Sequence, residues 1–421
     1  MLLFVITTAT CSFLVLLAKL LGHHSISIPI LIAVFMWFIF APAEFFINAS
    51  YYPTWEFYFV LTSGLFMVVL GSILNGPHAT RLPKFDRLSI CGSKPLLVIL
   101  YIILLISILA LCYRIAIGGL SFYKFSSIIN TGDEGTFAAI ISIFKKIRIY
   151  LMALVIGPAI YQSSKSRNLF LLSVLFLGIE VLIGYSGRSV LAQLPCVLFL
   201  IYIANVRKIP YQSIVIFASV FVSLFFILHY VRQRERWIDE RVPISEFAQT
   251  IGSGGEWNPV AHTSELVSRE HQVIDFPQMA SRLYDELFLF TVNWIPRDLW
   301  KGKPETDFSD RMSSSYYGRH YREKDWVRNF TMFSQLYYSG WIFGVIAGSL
   351  IFGYFTTKFL YAISTYQPLY GAYFFGCFAM IIKIRNSLTT SLFSLISIAI
   401  VVYIMYLFSK MMIGFKYKKA D

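Results

Sequence analysis

The stretch MLLFVITTATCSFLVLLAKL, residues 1–20, is apolar and long enough to cross the hydrocarbon core of a bilayer as one helix. It has no basic segment ahead of its apolar run and no small-residue cleavage site, so the pattern predicts a membrane span rather than a cleaved signal peptide. Comparable apolar runs recur along the chain, which is 57% hydrophobic and 14% charged. A typical soluble domain has about 25% charged residues. The sequence therefore predicts an all-α polytopic membrane protein.

The apolar runs predict about eleven transmembrane helices. Lysines and arginines cluster in alternate short loops, and placing these loops in the cytoplasm puts the N-terminus outside and the C-terminus inside. The chain then divides into membrane helices 1–8 (1–231), an outer segment (232–329), and membrane helices 9–11 with a cytoplasmic tail (330–421). The predicted spans are 2–21, 28–47, 56–74, 95–117, 138–161, 168–184, 189–205, 211–231, 330–357, 363–382 and 388–412.

The outer segment is far longer than an ordinary connection, and its many aromatic residues predict that it folds. Its apolar run LFLFTVNWI, residues 287–295, is too short to span a bilayer. We expect this run to form a short amphipathic or re-entrant helix along the outer interface. Trp294 and Trp300 would then lie at headgroup level, with Arg297 directed at an anionic group.

Cations on the outer side are informative because positive charge normally stays inside. A single outward arginine is often only an anchor that reaches the headgroups, and Arg236 has a ready partner in Glu240 one helical turn on. Several clusters on one face instead predict a site for a phosphate or diphosphate, which arginine binds through paired, charge-assisted hydrogen bonds. The predicted outward cations are Lys145, Lys146, Arg148, Arg188, Arg232, Arg234, Arg236, Arg297, Lys383 and Arg385.

Other chemical signals in the sequence are weak. The chain has no zinc-ligand spacing, P-loop, GxSxG or sugar-nucleotide DxD motif, so neither a metal nor a cofactor is predicted. The net charge of +13 fits cytoplasmic loops and lipid headgroups, and no nucleic-acid partner is expected. His320 is the candidate general base, although an ordinary surface histidine remains the alternative.

Three motifs resemble those of one family. IPRDLWKGKP (295–304) resembles the IPR-x-L-x-x-x-KP signature of the bacterial oligosaccharide repeat-unit polymerases, the Wzy-type O-antigen polymerases. GYSGRSVL (184–191) and KIRNSL (383–388) resemble the family's glycine–serine turn ending in arginine and its arginine motif before the last span. The turn reads GYSGR rather than a plain GSRG, which leaves the role of Arg188 less defined.

The resemblance implies a glycosyltransferase fold of the C type in the bacterial inner membrane. The substrates would be oligosaccharides linked to undecaprenyl diphosphate in the outer leaflet. A hydroxyl of the incoming repeat unit would attack the anomeric carbon of the growing glycan, and the lipid diphosphate would leave. The family commonly works with a chain-length regulator, a further expected partner besides membrane lipid.

Site residues follow from the resemblance together with the outward cations. Arg188, Arg297 and Arg385 would stabilise the leaving diphosphate, and His320 completes the candidate catalytic set. The candidate substrate-binding residues are Arg148, Arg232, Arg236, Trp294, Trp300 and Lys303.

Alternative functions remain open from the sequence. An O-antigen ligase would share the fold and the donor, and a flippase for lipid-linked oligosaccharides would share the arginines but should have short loops. A membrane acyltransferase would need a histidine set within the membrane. An ion-coupled transporter would need paired charges at mid-membrane, where Glu180 is the one plausible buried candidate.

Overall fold

The structure is a computed structural model. It describes residues 1–25, 27–41, 54–82, 93–118, 163–183, 258–270, 275–293, 302–317 and 330–364, and also 43, 148, 151–152, 155, 159, 200, 219, 295, 300, 387–389, 392, 395–396, 400 and 403. These residues form helices and, within the described part, no β-strand. The helices are α1 (Leu2–Leu20), α2 (Ile28–Phe40), α3 (Trp55–Ile73), α4 (Gly76–Thr80), α5 (Ser93–Gly118), α6 (Ser164–Ile183), α7 (Asn258–Arg269), α8 (Phe276–Val292), α9 (Phe308–Tyr317) and α10 (Met332–Ser364).

Four helices of the described part are long and apolar enough to cross a membrane. They are α1, α3, α5 and α10. The first three match the predicted spans 2–21, 56–74 and 95–117 closely, and α10 overlaps span 330–357 but extends seven residues beyond it. The predicted all-helical, multi-pass character is therefore confirmed at this coarse level. The span count of about eleven and the C-type glycosyltransferase arrangement stay predictions.

Two further predicted spans are described in part. The apolar helix α2 covers the first part of span 28–47, and α6 covers span 168–184 but begins four residues earlier, in the polar sequence SKSR. Most residues of the remaining predicted spans lie outside the described part of the chain, which includes only scattered helical positions there. These spans are 138–161, 189–205, 211–231, 363–382 and 388–412.

The chain forms two compact units. The first comprises Met1–Leu82, Ile244–Tyr361 and Ala379–Ser397, and the second comprises Pro83–Pro243, Ala362–Phe378 and Ile398–Asp421. Most of the predicted outer segment thus belongs to the unit that contains α1 to α4. The predicted boundaries at residues 231 and 329 separate membrane helices from the outer segment, and this assignment to sides of the membrane stays a prediction.

The first three helices pack against one another through apolar faces and are joined by polar contacts. The Trp37 indole nitrogen donates to Thr8 Oγ1 at 2.9 Å, which links α2 to α1. His23 Nδ1 lies 2.7 Å from Thr80 Oγ1 and links the turn after α1 to α4. Thr54 caps α3 by accepting from the backbone nitrogen of Phe57 at 3.3 Å. These contacts fix the ends of helices whose apolar sides alone would allow sliding.

The helices α3 and α10 approach so closely that glycine is required on both. A Cβ added at Gly353 would lie 2.1 Å from the Val68 carbonyl oxygen, and one added at Gly71 would lie 2.2 Å from the Leu350 carbonyl oxygen. Asn75 Nδ2 also donates to the Tyr354 carbonyl at 3.1 Å. Small residues at such a crossing are typical of packed membrane helices, because they let the backbones come into contact.

We expect Gly353→Ala to destabilise the protein by about 1–3 kcal/mol, because the methyl group forces the α3 and α10 backbones apart. Gly178→Ala in α6 is the matched control, since nothing lies within 4 Å of its added Cβ. The control should be neutral or slightly stabilising. Thermal unfolding of the two purified variants in detergent measures the difference, and equal midpoints would contradict the close crossing.

The long helix α10 is broken near its start. Gly340 (φ −148°, ψ 21°) and Trp341 (φ 50°, ψ −148°) leave the helical region, and Trp341 adopts a left-handed φ that is strained for an L residue. The part after the break, 342–364, is about 34 Å long at the usual helical rise and can span a bilayer by itself. The short part before the break, 332–339, packs against α7 through Ser334 and against α9 through Tyr338.

A buried cluster of hydroxyl groups holds α7 to this short part of α10. Thr263 Oγ1 lies 2.9 Å from Thr331 Oγ1 and 2.6 Å from Ser334 Oγ, and it donates to the Pro259 carbonyl at 2.6 Å. All three hydroxyl-bearing residues are fully buried. Since buried polar groups are costly unless they are hydrogen-bonded, this cluster specifies one docking position for α7.

Candidate functional site

Three helices, α7, α8 and α9, form within the polar segment between the predicted eighth and ninth spans. Asp275 caps α8 by accepting from the backbone nitrogen of Gln278 at 2.9 Å, and Pro277 stands in its first turn. Asp307 caps α9 in the same way, accepting from Ser309 at 2.8 Å. The expectation that this segment folds is therefore met where the structure describes it.

Much of the surface that α8 exposes is apolar, beside the exposed polar residues Gln278, Ser281 and Asp285. Phe276 and Tyr284 are 77% and 70% exposed, and Leu283, Leu287 and Phe288 are also exposed. The buried face includes Glu286 together with Leu289 and Val292. An apolar exposed face is unusual in water and is typical of a helix lying in the interfacial region of a membrane. It supports the predicted interfacial helix, whose membrane position stays a prediction.

The chain after α8 folds back on itself. The Lys303 ammonium donates to the carbonyl oxygens of Asn293 and Ile295 at 3.0 and 2.7 Å, and the lysine is buried. Thr306 Oγ1 donates to Asn293 Oδ1 at 2.7 Å. These contacts join Lys303 and Thr306 to the end of α8, and the stretch 293–306 is hereafter called the clasp loop. Arg297 belongs to this loop by sequence.

The role of Lys303 is more specific than the sequence indicated. Its ammonium occupies carbonyl groups at the C-terminal end of α8, where a positive charge is favoured by the helix dipole. Binding of substrate by Lys303 stays a prediction, and the contacts seen here already explain why a lysine at this position is buried.

We expect Lys303→Met to lower the unfolding midpoint, because two carbonyls at the end of α8 lose their donor at a cost of about 1–3 kcal/mol. Lys165→Met in the exposed first turn of α6 is the control and should leave the midpoint unchanged. Thermal unfolding in detergent reads out both variants. An unchanged midpoint for Lys303→Met would show that the ammonium does not hold the clasp loop.

A buried polar network connects α8, α9, α10 and the segment after residue 386. Glu286 accepts from Arg311 at 2.5 Å and from the Gln335 amide at 2.5 Å. The same amide donates to Thr389 Oγ1 at 2.6 Å, and its oxygen accepts from the Thr389 backbone nitrogen at 3.1 Å. Glu286, Gln335 and Thr389 are all buried. We call this set of four side chains the clamp network.

Sequence reasoning missed the clamp network. The one available signal was Glu286, an acid directly before the apolar run LFLF, at a position that an interfacial helix would not be expected to bury. Arg311, Gln335 and Thr389 have no distinguishing pattern, because their partners are far away in sequence.

Two further arginines of the polar segment are paired with acids of the same segment. Arg282 contacts Glu270 at 3.0 Å and lies 4.3 Å from the centre of the Tyr338 ring, and Arg269 contacts Glu265 at 2.9 Å. These pairs account for the charge of both guanidinium groups, which were not among the predicted site residues.

Tyr316 lies beneath Arg269, whose guanidinium carbon is 4.7 Å from the centre of its ring. Burial, and after it the Glu270 carboxylate, raises the pKa of the Tyr316 hydroxyl above its usual range. The phenol therefore stays neutral at physiological pH and is unsuited to act as a base.

The second unit contains a buried ion pair. Arg148 Nη2 lies 2.7 Å from Glu180 Oε2, and the two residues are only 1% and 5% exposed. Arg148 Nε and Nη1 are buried and make no hydrogen bond with the described part of the chain. The pair neutralises Arg148, and the other two donor atoms have no partner among the described residues.

The structure describes three of the ten predicted site residues. Lys303 is in the clasp loop, Trp300 is half-buried in the same loop, and Arg148 is in the second unit. Arg188, Arg232, Arg236, Trp294, Arg297, His320 and Arg385 lie outside the described residues.

Metal binding has no visible basis in the described part of the chain, where no group of three or more His, Cys, Asp or Glu side chains converges. Comparison of the chain with protein-family models, with curated proteins and with solved structures gives no match.

Proposed function

We propose that the protein polymerises undecaprenyl-diphosphate-linked oligosaccharide repeat units into O-antigen or a related surface polysaccharide. The reaction would take place at the periplasmic face of the bacterial inner membrane, with the N-terminus periplasmic and the C-terminus cytoplasmic. The observation that carries the proposal is the contact of the Lys303 ammonium with the Asn293 and Ile295 carbonyls, which joins the two ends of the IPR…KP stretch beside a helix that exposes large apolar side chains. A helix with such a face would lie in the interfacial region of the membrane, which is also where the charged diphosphate of a lipid-linked glycan is located.

The proposed chemistry is a displacement at the anomeric carbon. The acceptor hydroxyl forms the new glycosidic C–O bond, its proton passes to a base, and the bond from the anomeric carbon to the diphosphate oxygen breaks. Negative charge grows on the departing diphosphate, so fixed guanidinium groups would stabilise the transition state more than the bound substrate. Arg188, Arg297 and Arg385 take this role in the proposal, and His320 is the candidate base.

Two related functions use the same lipid-linked donor. An O-antigen ligase would transfer finished polymer to the lipid A core, and a flippase would move the repeat unit across the membrane without forming a bond. The extended folded segment with α7 to α9 favours an enzyme over a flippase, which is expected to have short loops.

A gel of surface glycolipid tests the proposal in cells. Cells lacking the protein are compared with the same cells after the gene is restored. We expect core bearing a single repeat unit without the protein, and a full ladder after restoration. Core without any repeat unit would favour ligase or flippase, and an unchanged ladder would refute a role in this glycan.

A further inference from the structure

We infer that Gln335 and Glu286 are positioning residues for the proposed polymerisation: they hold the loop that carries Arg297 in register with the segment that carries Arg385. The inference rests on the proposed function. The two residues lie outside the three family-like motifs. Their contacts would explain how the motifs at 295–304 and 383–388, which are far apart in the chain, act together.

The Gln335 side chain caps the helical segment that starts at residue 388. Its amide oxygen accepts from the Thr389 backbone nitrogen at 3.1 Å, and its amide nitrogen donates to Thr389 Oγ1 at 2.6 Å. Backbone nitrogens in the first turn of a helix have no partner within the helix, so a side chain that satisfies one determines where the helix begins. Arg385 stands four residues before Thr389 in the sequence.

Glu286 joins the same fixed point to α8. Its carboxylate accepts from the Gln335 amide at 2.5 Å and is neutralised by Arg311 at 2.5 Å. From Glu286 the helix continues to Val292 and leads directly into the clasp loop, which Lys303 closes. In the sequence, Arg297 follows Val292 by five residues, so the Gln335 amide contacts both the helix that leads to the Arg297 motif and the segment that follows the Arg385 motif.

Besides the clamp network, α8 has polar contacts through Lys303 and Thr306 at its C-terminal end and through Arg282, which donates to Glu270 and to the Tyr338 carbonyl. Its outer face is apolar and exposed, so lipid in contact with it would not resist sliding or rotation. A buried, charge-assisted hydrogen-bond network resists both, because any shift leaves a buried carboxylate or amide without its partner. The clamp network is therefore suited to fix the distance between the end of α8 and the segment that begins at Ser387.

The first test is kinetic, with purified protein and the lipid-linked repeat unit as substrate. Gln335→Met keeps the length of the side chain and removes its hydrogen bonds. We expect its kcat to fall about 100-fold, as an ångström-scale misplacement of catalytic groups does, with KM changed less than about threefold. Gln278→Met on the exposed side of α8 is the matched control and should leave both constants unchanged.

A swapped pair makes the test independent of a folding defect. Gln335→Glu alone places two carboxylates face to face and should be as impaired as Gln335→Met. Combining it with Glu286→Gln restores the hydrogen bond between the two positions in reversed direction. The amide introduced on α8 then donates to the carboxylate introduced on α10, which accepts from both Thr389 groups. We expect the double variant to regain at least about a tenth of the wild-type kcat. A double variant no better than the single one would overturn the clamp.

A distance measurement tests the register without relying on activity. Spin labels at the exposed positions Leu287 and Ile396, in a protein whose five cysteines are replaced by alanine, report the separation of α8 from the segment after Thr389. We expect Gln335→Met to broaden the distance distribution and the swapped pair to narrow it again. An unchanged distribution, or a broadened one with normal kcat, would refute the inference. Wild-type protein without polymerase activity would refute the proposed function, while the distances would still test the register.

Discussion

Replacing Arg297 with alanine should abolish chain extension while the protein still accumulates in the membrane. A guanidinium group directed at the departing diphosphate makes charge-assisted hydrogen bonds that strengthen as negative charge develops. Removal of one such donor lowers kcat by about 10²–10³-fold, which is enough to prevent visible polymer. The measurement is the surface-glycolipid ladder, together with an immunoblot of the membrane fraction from the same cells.

Two companion variants sharpen the result. Arg297→Lys keeps the charge but loses the paired donors, so it should give short chains rather than none. Arg167→Ala removes an exposed arginine in the first turn of α6, on the predicted cytoplasmic side, and should leave the ladder intact. Normal polymer length in Arg297→Ala would refute the role of the clasp loop in the reaction.

Replacing Glu180 with leucine should prevent accumulation of the protein. The change leaves Arg148 as an unpaired charge in a buried setting, at a cost of about 3–5 kcal/mol. Replacing both partners, as Arg148→Met with Glu180→Leu, should restore accumulation, since apolar side chains of similar volume often replace a buried ion pair without loss of stability. Quantitative immunoblots and thermal unfolding of Glu180→Leu, Arg148→Met and the double variant complete the cycle, and a double variant less stable than Glu180→Leu would contradict the account.

The double variant also separates two roles for Arg148. Two of its buried donors make no hydrogen bond within the described part of the chain, and the binding of a phosphate by Arg148 stays a prediction. If substrate uses them, the restored protein accumulates but does not extend chains; if the pair only supports the fold, the ladder returns. The same pair is the feature that an ion-coupled transporter would need, and a polymer ladder from the double variant would remove that interpretation.

Much of the coarse fold could be predicted from the positions and lengths of the apolar runs. The helices α1, α3 and α5 end within two residues of their predicted boundaries, because about twenty apolar residues in a row leave few alternatives in a bilayer. The break in α10 could not be predicted in this way. Residues 332–339 continue the predicted span without a charge, but the non-helical backbone at Gly340 and Trp341 separates them from the part that can cross the membrane.

The candidate site was predictable only where it lies in one continuous stretch. IPRDLWKGKP identified the clasp loop, and Lys303 was expected to contact substrate because sequence does not reveal that a lysine folds back onto helix carbonyls. Glu286, Gln335 and Thr389 are ordinary residues until the fold brings them together. The pairing of Arg148 with Glu180 is similar: each residue was noticed in the sequence, but the contact between them was not.

The most direct test of the central claim uses purified protein in lipid nanodiscs with undecaprenyl-diphosphate-linked repeat units as the sole substrate. Products are sized by mass spectrometry, and released undecaprenyl diphosphate is quantified in the same samples. The account predicts glycans that grow by whole repeat units, with one lipid diphosphate released for each unit added and neither activity in Arg297→Ala. Absence of growth, combined with transfer of glycan once a lipid A core acceptor is added, would contradict the account and identify a ligase.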